Sequence, residues 1–119
     1  MRTGDPIAGA TVVVLSSDRM GRGDDQLGEV LLRNFLHTLC EIAPKPDSLI
    51  CFNSGVKLAA KGSAVLEDLR SLEAQGVRIL LCGTCLGHFG LKGDVAAGEI
   101  SNMHAISEAM LGATSVVNL

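Results

Sequence analysis

The sequence has no tryptophan and no tyrosine, and its only aromatic side chains are Phe35, Phe52 and Phe89. Basic residues number 10 against 13 acidic ones, for a formal net charge of -3. Nucleic-acid surfaces combine a basic field with stacking rings, so no nucleic-acid partner is expected. Also missing is any apolar run near the roughly 20 residues that span a bilayer, and the first ten residues lack the apolar core of a secretory signal. The expectation is a cytoplasmic protein without a membrane partner. Proline is scarce as well: Pro6, Pro44 and Pro46 are the whole supply.

What is present is a chain of 119 residues, 47% hydrophobic, enough for one core and too short for two. Residues 1–9 carry Gly, Asp and Pro without periodicity and read as a flexible leader, leaving residues 10–119 as a single domain. Thr11 to Leu15 and Ser48 to Asn53 are short apolar runs without alternation, the pattern of strands covered on both faces. Between them Leu27, Leu31, Phe35 and Leu39 repeat at helical spacing, with Val30 alongside and Asp24 or Asp25 as the cap. Val56 to Lys61 reads as a short helix, and Val65, Leu66, Leu69 and Leu72 as the stripe of another, stopped at Gly76. A third strand from Val77 delivers Cys82. Then come a short helix over Leu86 to Leu91, a brief edge strand within Val95 to Ile100, a helix capped by Ser101 or Asn102 with Met103, Ile106, Met110 and Leu111, and a closing strand from Ser115 to Asn118.

Strands and helices alternating at this pace predict an α/β fold: a three-layer α/β/α arrangement around a mostly parallel five-stranded sheet. The commonest small version has flavodoxin-like order, 2-1-3 and onward, with ligands beyond the strand ends where the order reverses. On that order the loop from Ser17 to Asp25 lies beside Cys82, with Asn53, Ser54 and Gly55 on the far side of strand one. Arg19, Arg22, Asp24 and the helix starts would edge the crevice, and Gly21, Gly23, Gly83 and Gly87 would permit close backbone approach.

The chemistry concentrates in Cys82-Gly83-Thr84-Cys85. A helix starting at Cys82 or Gly83 projects both sulfurs from its first turn, where unpaired amides and the macrodipole favour an anion. Such settings bring a thiol from about 8.5 down to roughly 3.5 to 7.5. The pair can carry a persulfide on one sulfur or cycle between dithiol and disulfide. His88, one turn beyond Cys85, can raise the thiolate fraction or move a proton. Cys82, Cys85 and His88 suit zinc, yet the second ligand pair of a zinc site is missing, so no metal and no other cofactor is expected. Cys40 and Cys51, on an apolar helix side and in a covered strand, read as core.

Four ordered segments carry a resemblance: Ser16 to Asp25, Asn53-Ser54-Gly55-Val56-Lys57-Leu58, Cys82-Gly83-Thr84-Cys85-Leu86 and Gly98 to Met103. Together they resemble YedF-like domains of the DsrE/DsrF-like superfamily of sulfur-relay proteins, over nearly all of residues 10–119. The resemblance implies a three-layer fold, homo-oligomers such as trimers or hexamers, and sulfurtransferase-like activity connected with selenium metabolism. It implies a relay cysteine at a strand end with a glycine about one helix later, which Cys82 and Gly90 match, so Cys82 is expected to carry the persulfide and Cys85 to assist. Asp18, Arg19, Arg22, Asp24, Asn53, Ser54, Gly55, Gly83, Thr84 and His88 are the expected substrate-binding set. Family members commonly join a TusA-like domain, so the expected donor or acceptor is a separate, TusA-like polypeptide.

Two other classes remain beside this one. A dithiol oxidoreductase of thioredoxin type uses a proline facing the disulfide from later in the chain, whereas every proline here precedes Cys82. A non-catalytic oligomeric module for ligand binding would keep the fold without the sulfur chemistry.

Overall fold

The apolar runs become β1 (Thr11–Leu15), β2 (Ser48–Cys51), β3 (Arg78–Cys82), β4 (Glu99–Ser101) and β5 (Ser115–Asn118). They form one parallel sheet in a computed structural model that describes residues 10–119. The leader expected over residues 1–9 lies outside the described residues. Leu15, Leu49, Ile79 and Leu81 are wholly buried on the strands, each such side chain worth about 2 kcal/mol of apolar burial.

Helix α1 (Asp25–Leu39) starts where Asp24 accepts the amide of Leu27 at 2.9 Å. Its inward stripe is Gly28, Leu32, Leu36 and Leu39, while Leu27, Val30 and Leu31 are exposed. The helix is rotated from the expected Leu27-Leu31-Phe35 face by about one residue. Gly28 explains the shift: a Cβ there would lie 3.1 Å from the Arg19 side chain and 3.3 Å from the Met20 carbonyl, so the returning loop packs on a bare backbone. A 3₁₀ segment (Asn53–Ala59) follows β2, and α2 (Leu66–Ala74) buries Leu69 and Leu72 before Gly76 turns at φ +94°. Beyond β3 come the short α3 (Gly83–His88), a 3₁₀ turn (Lys92–Asp94), β4, α4 (Met103–Gly112) and β5.

The fold class is the expected one, but the strand order is β4-β3-β2-β1-β5 and not the flavodoxin-like 2-1-3. Each crossover from β1 to β4 steps in the same direction, and only the last connection returns across the whole sheet to the far side of β1. With right-handed crossovers, that reversal puts α4 on the opposite face from α1 and α2. Val12, Ser48 and Leu80 accordingly share a cavity wall with Ala109 and Gly112 of α4. The order therefore reverses between β1 and β5, and β2 lies between β1 and β3. The end of β2 thus becomes the neighbour of Cys82.

Candidate functional site

Strand β3 ends in Cys82, whose backbone is still extended (φ -66°, ψ 117°), and α3 begins at the next residue. Nothing separates the sulfur from the amides of the helix start. Burial pushes the Cys82 thiol up, but hydrogen bonds from the Cys85 amide and thiol and from the Thr84 amide and hydroxyl outweigh it, leaving the pKa below its ordinary value. Gly83 lets β4 press against this turn: a Cβ there would come 3.1 Å from the Ser101 carbonyl oxygen.

Cys85, one turn on, has the opposite balance. Burial raises its pKa first, the hydrogen bond and negative charge of Cys82 raise it further, and the Asn53 amide pulls the other way without prevailing. The two thiols thus titrate as a pair, Cys82 the more acidic member and Cys85 the less acidic one.

Access divides differently from acidity. Cys82 is only 1% exposed, whereas half-buried Cys85 lines a cavity of about 310 Å³ together with Asn53, Thr84, His88 and Phe89. The cleft-facing sulfur is therefore Cys85, where Cys82 was expected. In an i, i+3 pair at a strand end, the first residue continues the covered strand and the second emerges on the helix surface.

The Asn53 amide donates to the Cys85 sulfur at 3.0 Å. Asn53 stands at φ +52°, a left-handed conformation that asparagine tolerates, and its side-chain oxygen accepts the Ser54 amide at 2.8 Å. Gly55 fixes the position of this turn, because a Cβ there would fall 2.1 Å from the Leu15 carbonyl oxygen and no side chain fits. Behind it, the Asp18 amide donates to the Ser54 hydroxyl at 3.2 Å, tying the β1 loop to the cysteine-bearing side.

The expected substrate-binding residues thus fall into two places. Asn53, Thr84, Cys85 and His88 share a cavity, with Ser54, Gly55 and Asp18 supporting it and Gly83 beneath the turn. Arg19 and Arg22 line a different cleft, with Ser16, Ser17 and the end of β5. Arg19 also pairs with Glu29 at 3.5 Å, and Asp24 is engaged in capping α1. The cause is the strand order, which puts β5 beside β1 and inserts β2 before β3.

Phe89 and Lys57 were not in the expected set. Phe89 lies four residues after Cys85, a spacing that puts both on one side of the last turn of α3. The Lys57 ammonium lies 4.5 Å from its ring centroid, and His88 meets the same ring edge-on at 5.0 Å. Among the described residues, no hydrogen bond joins His88 to either sulfur, and no cluster of three or more His, Cys, Asp or Glu is placed to hold a metal. Cys51 is sealed in the core and pushed up to about 12 by burial, and the Cys40 thiol donates to the Leu36 and Asp68 carbonyls at 3.4 and 3.5 Å.

Comparison with known proteins agrees with this architecture. The profile of the DsrE/DsrF-like family matches residues 37–119. Among solved structures, the ychN protein from E. coli is 20% identical, with a TM-score of 0.71, covering 92% of this chain and 98% of that one. A conserved protein of unknown function from Bacteroides thetaiotaomicron is 14% identical, with a TM-score of 0.68 and coverage of 95% and 97%. A protein of unknown function from Methanobacterium thermoautotrophicum is 18% identical, with a TM-score of 0.65 and coverage of 92% and 98%. At these identities the likeness is one of fold. No curated protein matches the sequence. Among the described residues, no helix is long and apolar enough to cross a membrane.

Proposed function

Because the chain belongs to the DsrE/DsrF-like family, a family associated with sulfur relay, we propose that it is a cysteine-based carrier that takes up sulfur, or its selenium counterpart, as a persulfide and passes it on. The finer reading is a YedF-like domain that works in the cytoplasm as a homo-oligomer and exchanges sulfur with a TusA-like carrier protein. Both Cys82 and Cys85 take part. The observation that carries this reading is the pairing of two unequal thiols one helical turn apart, Cys82 the more acidic and Cys85 the one that lines the cavity.

The division assigns their roles. The Cys85 proton passes to the Cys82 sulfur, and the freed Cys85 thiolate attacks the outer sulfur of a donor persulfide, R–S–SH. The new S–S bond forms at Cys85 as the donor's S–S bond breaks, and the donor leaves as its thiolate. Nothing is oxidised or reduced overall. The Asn53 amide, 3.0 Å from the Cys85 sulfur, stabilises the anion before attack and after delivery. In the second half an acceptor thiolate attacks the outer sulfur, Cys85 leaves as thiolate and the proton returns from Cys82.

Intact mass after incubation with a persulfide donor tests the assignment. Wild type gains one sulfur, roughly 32 Da. Cys85→Ser should gain none, and Cys82→Ser should load about tenfold more slowly at neutral pH. An adduct kept by Cys85→Ser and lost in Cys82→Ser would move the carrier to Cys82. A loss of roughly 2 Da with no sulfur gained would favour a dithiol oxidoreductase using the same pair.

A further inference from the structure

We propose that the mouth of the Cys85 cavity is a cationic collar that docks the acidic surface of a protein sulfur carrier, an inference that rests on the sulfur-transfer reading above. The collar is Lys57, Lys61 and Lys92, contributed by the 3₁₀ segment after β2, the turn that follows it, and the 3₁₀ turn after α3. All three are exposed and lie beside α3 or Phe89, the residue that caps its end. Lys57 lies over the Phe89 ring at 4.5 Å, and that ring also walls the Cys85 cavity. Lys61 shares with Lys57 and Phe89 an adjoining cavity of about 440 Å³. Lys92 folds back over Gly87, two residues beyond Cys85: a Cβ on Gly87 would come 3.5 Å from Lys92 Cε and 3.9 Å from its Nζ.

The charge distribution makes this placement informative. The chain is acidic overall, at -3, yet three of its four lysines, Lys45 being the other, stand around one short helix. The ion pairs among the described residues engage Arg19, Arg78, His37 and His104, and none engages a collar lysine. Asp18 lines a cavity with Lys57, and the Asp94 carbonyl oxygen accepts the Lys61 amide, but neither carboxylate pairs with a collar ammonium. Unpaired cations ringing a nucleophile steer anionic partners and speed their encounter by about tenfold or more at low salt. The collar stands outside the cavity, whose own lining is Asn53, Thr84, Cys85, His88 and Phe89. Cations outside the cavity suit carboxylates spread over a protein surface around a sulfur-bearing cysteine better than one small anion inside it.

The test compares loading of the full chain by three donors: a cysteinyl persulfide peptide flanked by Asp and Glu, the same peptide with Asn and Gln, and thiosulfate. The acidic peptide should load Cys85 about tenfold faster than the neutral one at low ionic strength, and the advantage should collapse in 0.5 M salt, with a Debye length of roughly 4 Å. The Lys61→Gln/Lys92→Gln variant should lose most of the preference while loading from the neutral peptide at the wild-type rate. Equal rates from acidic and neutral peptides would overturn the collar and leave sulfur transfer standing. Fast loading by thiosulfate with no preference between the peptides would assign the lysines to a small anion and overturn protein docking. Failure of every donor would retire the sulfur-transfer reading, and the partner with it.

Discussion

Cys51 and Cys82 occupy equivalent positions, each the last residue of a central strand, and are almost equally buried at 0% and 1% exposure. Their acidities nevertheless diverge: burial pushes Cys51 up to about 12, while Cys82 falls below its ordinary value. The chain after Cys51 stays extended through Phe52 (φ -143°, ψ 171°), carrying the next amides away from the sulfur. After Cys82 it enters α3 at once, and the amides of Thr84 and Cys85 fold back onto the sulfur. Burial is thus common to a thiol of raised pKa and one of lowered pKa, and the local path of the chain separates them.

The strongest challenge to this comparison is selective alkylation of the native protein. Cys85 should react with iodoacetamide at least about a thousandfold faster than Cys51, whose labelling requires opening of the sheet. Comparable labelling by peptide mass mapping would show that Cys51 is not sealed. A second measure is stability at alkaline pH. The folded chain holds the Cys51 proton to about 12, while the unfolded chain releases it near 8.5 or so. The contribution is complete below the unfolded value and lost as pH rises, at about 1.4 kcal/mol per unit. Urea titrations of wild type and Cys51→Val should therefore diverge above pH 9 or so, with the variant less sensitive. The smallest effect is at Thr84. Thr84→Val removes a hydroxyl that lowers the Cys82 pKa, so the pH midpoint of sulfur loading should rise by about one unit. An unmoved midpoint would mean that the backbone amides and the Cys85 thiol lower the Cys82 pKa without help from the hydroxyl.

Much of this could be read along the chain because the signals are local. Unbroken apolar runs located β1, β2 and β3, Asp24 and Asn102 capped the helices expected of them, and the Cys-Gly-Thr-Cys spacing placed two sulfurs at a strand-to-helix turn. What was illegible depends on contacts between distant segments. Nothing in a βαβ unit states in which direction the next strand is added, so the order 2-1-3 gave way to a sheet with β2 between β1 and β3. The separation of Arg19 and Arg22 from Cys85 follows from that one difference. The access of Cys85 over Cys82 depends on how far the end of β3 sinks into the core. The Asn53 hydrogen bond joins residues 32 apart in sequence and needs a left-handed backbone that the sequence only permits. The inward face of α1 was misjudged because glycine carries no hydrophobic signal, although Gly28 packs against the Arg19-Met20 loop as closely as a core side chain.

Gly55 ties the chemistry to the architecture. With its backbone seated against the carbonyl of Leu15, the amide that solvates the outer thiol is anchored to a buried interior strand instead of to a wandering loop. The thiol's titration should therefore report on sheet integrity, drifting toward that of an ordinary exposed cysteine whenever the first two strands separate. A reagent aimed at one sulfur would then serve as a gauge of how tightly the whole domain is closed.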